Sequence, residues 1–395
     1  MSKWRTYKLG ELVTIKGGKR LPKGVLLQST PNSHPYIRIR DLGKTRILEL
    51  DSTYEYVDDL TQKSIARYIV EKGDILLSIV GTIGLVGIVG ESLHLANQTE
   101  NCVKLINLNK VDRLYLYYYL SSKIGQIEIQ KGIVGAVQAK LPIKNIENIE
   151  ISLPPLAEQK RIADILNAID DKIELNRRIN ANLEQQAQAL YKSWFVDNKK
   201  DDWEEGVVSD YFNITIGKTP PRKETKWFST SNKDHVWISI SDMGKHGMYL
   251  GQSSEYLTQS AIEKFNIVIV PDKTVLLSFK LTIGRVVISD GNVTTNEAIA
   301  HFNINDPNLL EYTYLSLKNY EFAALGSTSS IATAVNSKTI KSMRWIMPNR
   351  DLINQFHEKV GPLFNMIRQN EKEINHLSTL RDTLLPKLMS GEITV

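Results

Sequence analysis

The chain states nearly the same sequence twice, and each statement ends in a long helical pattern. Trp4 opens a stretch that reaches Leu153-Pro154-Pro155, and Trp203 opens a second that reaches Ile346-Met347-Pro348. Gly18-Lys19 answers Gly217-Lys218, and IRIRDLG at Ile37–Gly43 answers ISISDMG at Ile238–Gly244. Leu76-Leu77-Ser78 with Thr82-Ile83-Gly84 answers Leu276-Leu277-Ser278 with Thr282-Ile283-Gly284. Val137 and Lys140 answer Val335 and Lys338. The period is about half the chain, well beyond the roughly 20–50 residues of a solenoid unit. A duplicated domain-plus-helix follows, and two similar halves imply two similar binding faces.

The length of 395 residues exceeds one ordinary core, so two or more domains are expected. The formal charge is +5, and it is unevenly spread: residues 1–150 hold 21 Lys and Arg against 15 Asp and Glu. That surplus suits a polyanionic partner for the first half. Cys102 is the one cysteine, which excludes an internal disulfide and points to a reducing, cytoplasmic setting. The apolar run at 75–90 is short for a membrane span and rich in Gly and β-branched residues. Its counterpart carries Lys280 and Arg285, so both runs read as buried strands with a turn, and no membrane association is expected.

Strands lead in both halves. Runs rich in Val, Ile, Tyr and Thr predict strands over 36–40, 74–80, 86–89 and 101–106, repeated over 236–241, 274–279, 285–289 and 300–304. One helix is predicted in each half, over 113–130 and 309–325, with Tyr115, Tyr119, Tyr312 and Tyr314 as core aromatics. The fold class is α/β, a mixed α+β domain occurring twice, with two long helices forming an antiparallel coiled coil. The boundaries are 1–152 for the first globular domain, 153–200 for a central helix, 201–347 for the second domain and 348–395 for a C-terminal helix.

The two helices carry the strongest periodicity. Ile162, Leu166, Ile169, Ile173, Asn176, Asn180, Leu183, Ala187, Leu190 and Trp194 follow alternating steps of four and three, as do Phe356, Val360, Leu363, Ile367, Asn370, Ile374, Leu377, Arg381, Leu384 and Leu388. Such a seam needs a partner helix, and pairing the two with each other is the economical solution. Asn176, Asn180 and Asn370 place polar groups in the seam, which costs stability and fixes register. A helix over 156–195 would run about 60 Å at ~1.5 Å per residue. Pro362 is expected to kink or restart the second helix.

The segment LPPLAEQKRIADIL from Leu153, followed by Ile173-Glu174-Leu175-Asn176 and by LYKSWF ending at Phe195, resembles the central conserved region of type I restriction-modification specificity subunits. The resemblance covers the whole chain. Trp4 and Trp203, the Gly217-Lys218-Thr219-Pro220 turn, the paired Leu-Leu-Ser…Thr-Ile-Gly motifs and the ending RDTLLPKLMSGEI support it. The first half departs from the turn, reading Gly18-Lys19-Arg20-Leu21-Pro22. The resemblance implies a non-catalytic subunit whose two domains each read one half of a split, asymmetric sequence in double-stranded DNA. It implies helices that set the spacing and bind two modification subunits, which methylate adenine with S-adenosylmethionine. Restriction subunits join that core. No cofactor is expected on this chain. A helical assembly scaffold and an enzyme with an unrecognised site are the competing readings.

The residues agree on the lack of chemistry. No Gly-x-Gly-x-x-Gly occurs, and Arg38 and Phe212 stand where phosphate loops ending at Gly43-Lys44-Thr45 or Gly217-Lys218-Thr219 would need a first glycine. No Asn-Pro-Pro-aromatic box for amino-methylation occurs, and the histidines lack ligand spacing. DNA contact needs cations and amides on exposed loops. The first set of candidates is Lys16, Lys19, Arg20 and Lys23, matched by Lys218, Arg222, Lys223 and Lys226 in the second half. Arg38 with Arg40 and Lys280 with Arg285 come next, then Gln138 with Lys140 and Asn336 with Lys338.

Overall fold

A computed structural model describes residues 4–245, 247–322 and 335–395. The chain divides into two compact units, Met1–Ile173 with His376–Val395, and Glu174–Asn375. Each unit thus takes a globular domain and a stretch of both long helices.

The domains repeat in topology as well as sequence. In the first, a five-stranded sheet runs in the order Thr14–Gly17, Cys102–Ile106, Ile75–Ser78, Val86–Val89, Ile47–Leu48. In the second the order is Asn213–Ile216, Ile299–Asn303, Val275–Ser278, Val286–Ser289, Tyr249–Leu250. All neighbours are antiparallel except the last pair of each sheet, which is parallel. The strands Ile75–Ser78 and Val86–Val89 are buried throughout, as are their counterparts. Continuous apolar runs of β-branched residues suit strands covered on both faces. The run at 75–90 is therefore two strands and a turn, and among the described residues no helix is long and apolar enough to cross a membrane.

Smaller sheets complete each domain. Pro35–Ile37 pairs with Glu55–Tyr56 and Asn97–Gln98, while His235–Ile238 pairs with Tyr256–Leu257 and Thr294–Thr295. Two-stranded ribbons, Arg5–Lys8 with Glu150–Leu153 and Glu204–Val207 with Arg344–Met347, bring the ends of each domain together.

Three kinds of expectation change. The strand expected over 36–40 ends at Ile37, and Ile39–Asp41 forms a 3-10 turn. Its counterpart over 236–241 ends at Ile238, before the short helix Ile240–Met243. Asp41 draws the chain into its turn by accepting a hydrogen bond from the Arg38 N–H at 2.7 Å, as Asp242 does from Ser239 at 2.9 Å. The helix expected over 113–130 is two helices, Arg113–Ser121 and Lys123–Lys131, because Ser122 is extended and its hydroxyl caps the second by accepting from the Gly125 N–H. The second-half helix is Leu310–Lys318, and residues 323–325 of the expected span lie outside the described residues. Finally, the C-terminal helix is unbroken over Arg350–Met389, running through Pro362. Proline removes one intrahelical bond, and here the buried residues Val360, Phe364 and Ile367 hold the helix on either side.

The central helix spans Leu156–Tyr191 and continues as a π-helical turn over Lys192–Asp197. Within the second unit it pairs with the C-terminal helix in antiparallel sense. Asn176 Nδ2 donates to Glu373 Oε2 at 2.8 Å, and Asn370 Nδ2 donates to Asn180 Oδ1 at 2.8 Å, so numbering rises on one helix as it falls on the other. Trp194 and Phe195 meet Phe356 further along the same seam. In the first unit the same sense places Arg381 on Asp170 at 2.9 Å. The seam positions Ile162, Leu166, Ile173, Asn176, Leu183 and Ala187 are buried, which is what the heptad spacing requires.

Candidate nucleic-acid interface

Strand register brings the same loops to one end of each five-stranded sheet. In the first domain Gly17 pairs with Val103 and Ser78 with Cys102. The loops 18–27, 79–85 and 99–101 therefore leave the sheet together. Ile79 N donates to Asn101 O at 2.8 Å, Leu141 N donates to Ile79 O at 2.9 Å, and Lys140 bridges to both Val80 and Val134. These bonds add the loop 134–140 to the group. The second domain repeats the sheet end among the described residues: Ile216 pairs with Ala300, Ser278 with Ile299, and Phe279 N donates to Ala298 O at 2.9 Å.

Two devices fix these loops. The first is a glycine at a point of backbone contact. A Cβ on Gly18 would lie 2.1 Å from Thr99 O, and one on Gly217 would lie 2.1 Å from Thr295 Oγ1 and 2.2 Å from Asn296 O. No other residue fits that approach. The second is a serine that closes the hairpin tip. Ser78 Oγ donates to Thr82 O at 2.6 Å and accepts from Leu85 N at 2.8 Å; Ser278 Oγ donates to Thr282 O at 2.6 Å and accepts from Arg285 N at 3.0 Å. The repeated Leu-Leu-Ser…Thr-Ile-Gly motif is thus the sequence of a stiffened β-hairpin.

The sixteen residues read from the sequence as DNA contacts fall into distinct settings. Lys16 is an exposed residue of the strand Thr14–Gly17, not of the loop that follows it. Lys16, Lys23, Lys140, Lys223, Lys280 and Lys338 carry no ion pair among the described residues, and neither does Lys19, whose ammonium lies 5.8 Å from the Tyr68 ring centre. Arg20 pairs with Glu100 at 2.8 Å. Its counterpart Thr219 donates to Glu297, so the departure from Gly-Lys-Thr-Pro in the first half keeps the same acidic anchor. Arg38 and Arg40 both pair with Glu55.

The second-half cations are more deeply built in. Lys218 Nζ donates to Phe265 O at 3.1 Å and Asn266 O at 3.0 Å, capping the helix Gln259–Phe265. A cation there meets the negative end of the helix dipole. Arg222 binds both oxygens of Glu255 at 2.7 and 3.1 Å and stacks 4.4 Å from the Trp237 ring centre and 4.6 Å from that of Phe228. Lys226 pairs with Glu224 at 3.3 Å and lies over Trp227. Arg285 Nη1 donates to Ile240 O at 2.6 Å. Asn336 Oδ1 accepts from the N–H groups of Lys338 and Thr339, capping the helix Ser337–Lys341. Gln138 is exposed on the loop 134–140.

His301 is neutral: burial lowers its pKa to about 4, and its ring lies between Thr215 Oγ1 at 2.8 Å and Thr295 Oγ1 at 2.7 Å. It braces the sheet beside Gly217. Among the described residues, no group of three His, Cys, Asp or Glu is placed to hold a metal ion.

Sequence reasoning missed the anchoring acids Glu100 and Glu297. The repeat itself carried their signal: each acid stands two residues before a matched strand, which begins at Cys102 in the first half and Ile299 in the second. The projecting aliphatic side chains of Val137 and Leu281 were also missed, because exposure leaves no mark on a short loop's sequence.

A model of the type I restriction modification DNA specificity domain matches residues 1–185 and 200–375. The MjaIX type I restriction enzyme specificity subunit of Methanocaldococcus jannaschii is 25% identical over 99% of this chain and 94% of its own length. The HindI specificity subunit of Haemophilus influenzae is 25% identical, with 100% of this chain and 100% of that one covered. The crystal structure of the type I restriction-modification S subunit from M. genitalium shares the fold, with a TM-score of 0.58 at 16% identity over 98% of this chain and 96% of that one.

Proposed function

The chain belongs to the type I restriction-modification DNA specificity family, and on that premise we propose that each of its domains reads one half of a split DNA target through the loops at one end of its five-stranded sheet. As a specificity subunit it is non-catalytic, and methyl transfer belongs to partner subunits. The observation that carries the reading is the recurrence of one loop group, fixed by the same glycine and serine, with unpaired lysines in both domains. An assembly scaffold would have no use for that recurrence.

Lys16, Lys19, Lys23 and Lys140 in the first domain, and Lys223, Lys280 and Lys338 in the second, contact phosphates. Phosphate contacts place a protein on the duplex and carry no sequence information. The base-reading groups lie among the polar residues of the same loops, such as Gln138. The paired arginines Arg20, Arg38, Arg40 and Arg222 hold loops in shape. The long helices bind two modification subunits, which hold S-adenosylmethionine, and Asn176, Asn180 and Asn370 keep the helix register that sets the gap between half-sites. Restriction subunits join this cytoplasmic assembly.

Exchanging residues 1–152 for the corresponding domain of a relative tests the reading. Mapping methylated adenines in a host that carries the intact system should show one half of the target changed and the other kept. A change in both halves together would sink the one-domain, one-half-site assignment.

A further inference from the structure

Folding accounts for most of the hairpin tip in the second domain, but not for Leu281. This residue is 98% exposed and its φ is +61°. Gly81 holds the same place in the first domain, with φ +73°. Glycine adopts that left-handed conformation freely, and leucine does so at a steric cost. The two tips have the same serine closure, so the turn itself does not ask for leucine. The second domain thus keeps a side chain that strains its backbone and leaves an apolar group in water.

The surroundings say what would cover it. Lys280, next in sequence, carries no ion pair among the described residues, and its ammonium lies 5.6 Å from the Phe279 ring centre. An apolar point beside an unpaired cation matches duplex DNA, which sets thymine methyl groups in the major groove close to backbone phosphates. The tip is stiffened before binding, so little ordering opposes the contact. The first domain offers a related pair on the adjoining loop: Val137 is fully exposed and stands three residues before Lys140 in sequence.

We propose that Leu281 is a specificity-determining residue that packs against a thymine methyl group in the half-site read by the second domain, with Lys280 on a neighbouring phosphate. This assignment rests on the DNA-reading function proposed above.

The test uses the complex assembled with its modification subunits, and compares binding to the cognate duplex with binding to duplexes scrambled in one half-site. Leu281→Ala should lower discrimination at the second half-site roughly tenfold, the cost of a typical lost base contact. Discrimination at the first half-site and the salt dependence should stay as they are. Leu281→Gly relieves the backbone strain and should behave alike, which guards against a folding defect. Replacing thymines of that half-site one at a time by deoxyuridine should reveal one position where wild type loses the same factor and Leu281→Ala loses nothing more. Lys280→Ala should weaken binding to all duplexes alike. Variants that discriminate as wild type does, or a half-site with no deoxyuridine-sensitive position, would overturn the assignment of Leu281. A wild-type complex indifferent to scrambling of the second half-site would instead overturn the DNA-reading function.

Discussion

The two domains share a backbone plan and differ in how they hold their cations. In the first, Lys19 and Lys23 follow Gly18 on an exposed loop and carry no ion pair among the described residues. In the second, Lys218 caps a helix and Arg222 is clamped between Glu255 and two aromatic rings. A matched position in a repeated sequence therefore means matched backbone, and the side chain there is free to take a different task.

The shared part of the plan should show the largest effect. Gly18→Ala and Gly217→Ala each drive a Cβ to about 2.1 Å from a facing atom. Backbone must shift in both cases, and a loss of about 3 kcal/mol is expected from each in denaturant unfolding. A mild effect in one domain only would show that the two loops are not built on the same contact.

The cation difference should show in salt dependence. Changing Lys16, Lys19 and Lys23 together to Ala should lower the log–log slope of DNA affinity by about 2.7, at roughly 0.9 per lost phosphate contact. Changing Lys218 and Arg222 should leave the slope alone and reduce stability by about 1–2 kcal/mol, through a lost helix cap and a lost aromatic stack. Equal slope changes from both sets would erase the distinction between the domains.

Much of this plan was legible in the sequence. The repeat announced the duplication of the domain, and the four-three spacing gave the seam, because burial on one helix face leaves a period that survives sequence divergence. Strand interiors were legible for the same reason: Val86–Val89 is fully buried and reads as a continuous apolar run. The site was less so. Basic loops were visible as charge clusters, yet Glu55, Glu100 and Glu255 neutralise several of those charges from far along the chain. Ser122 breaks a helix that the surrounding propensities favour, since one hydroxyl cap outweighs a weak periodic signal.

The domains also differ in how each is fastened to the helical segments of its own unit, and pH should separate them. In the first unit Arg46 pairs with Asp171 at 2.5 Å, while Tyr118 donates to Asp170 at 2.8 Å. In the second, Glu371 of the C-terminal helix accepts from Met248 N at 2.7 Å and Tyr249 N at 2.8 Å. Burial raises the Glu371 pKa to about 7; Glu184 and Asp290 push the same way, and the two N–H donors oppose it. A carboxyl with a raised folded-state pKa binds its proton more tightly folded than unfolded. Its contribution is therefore full below the unfolded value of about 4.5 and is lost as pH rises through about 7. Unfolding followed by a probe in the second unit should show a loss on the order of 2 kcal/mol between about pH 5 and pH 8. Glu371→Gln should flatten that profile, whatever it does to stability at a single pH. A profile unchanged by Glu371→Gln would mean that the fastening of the second domain does not titrate there.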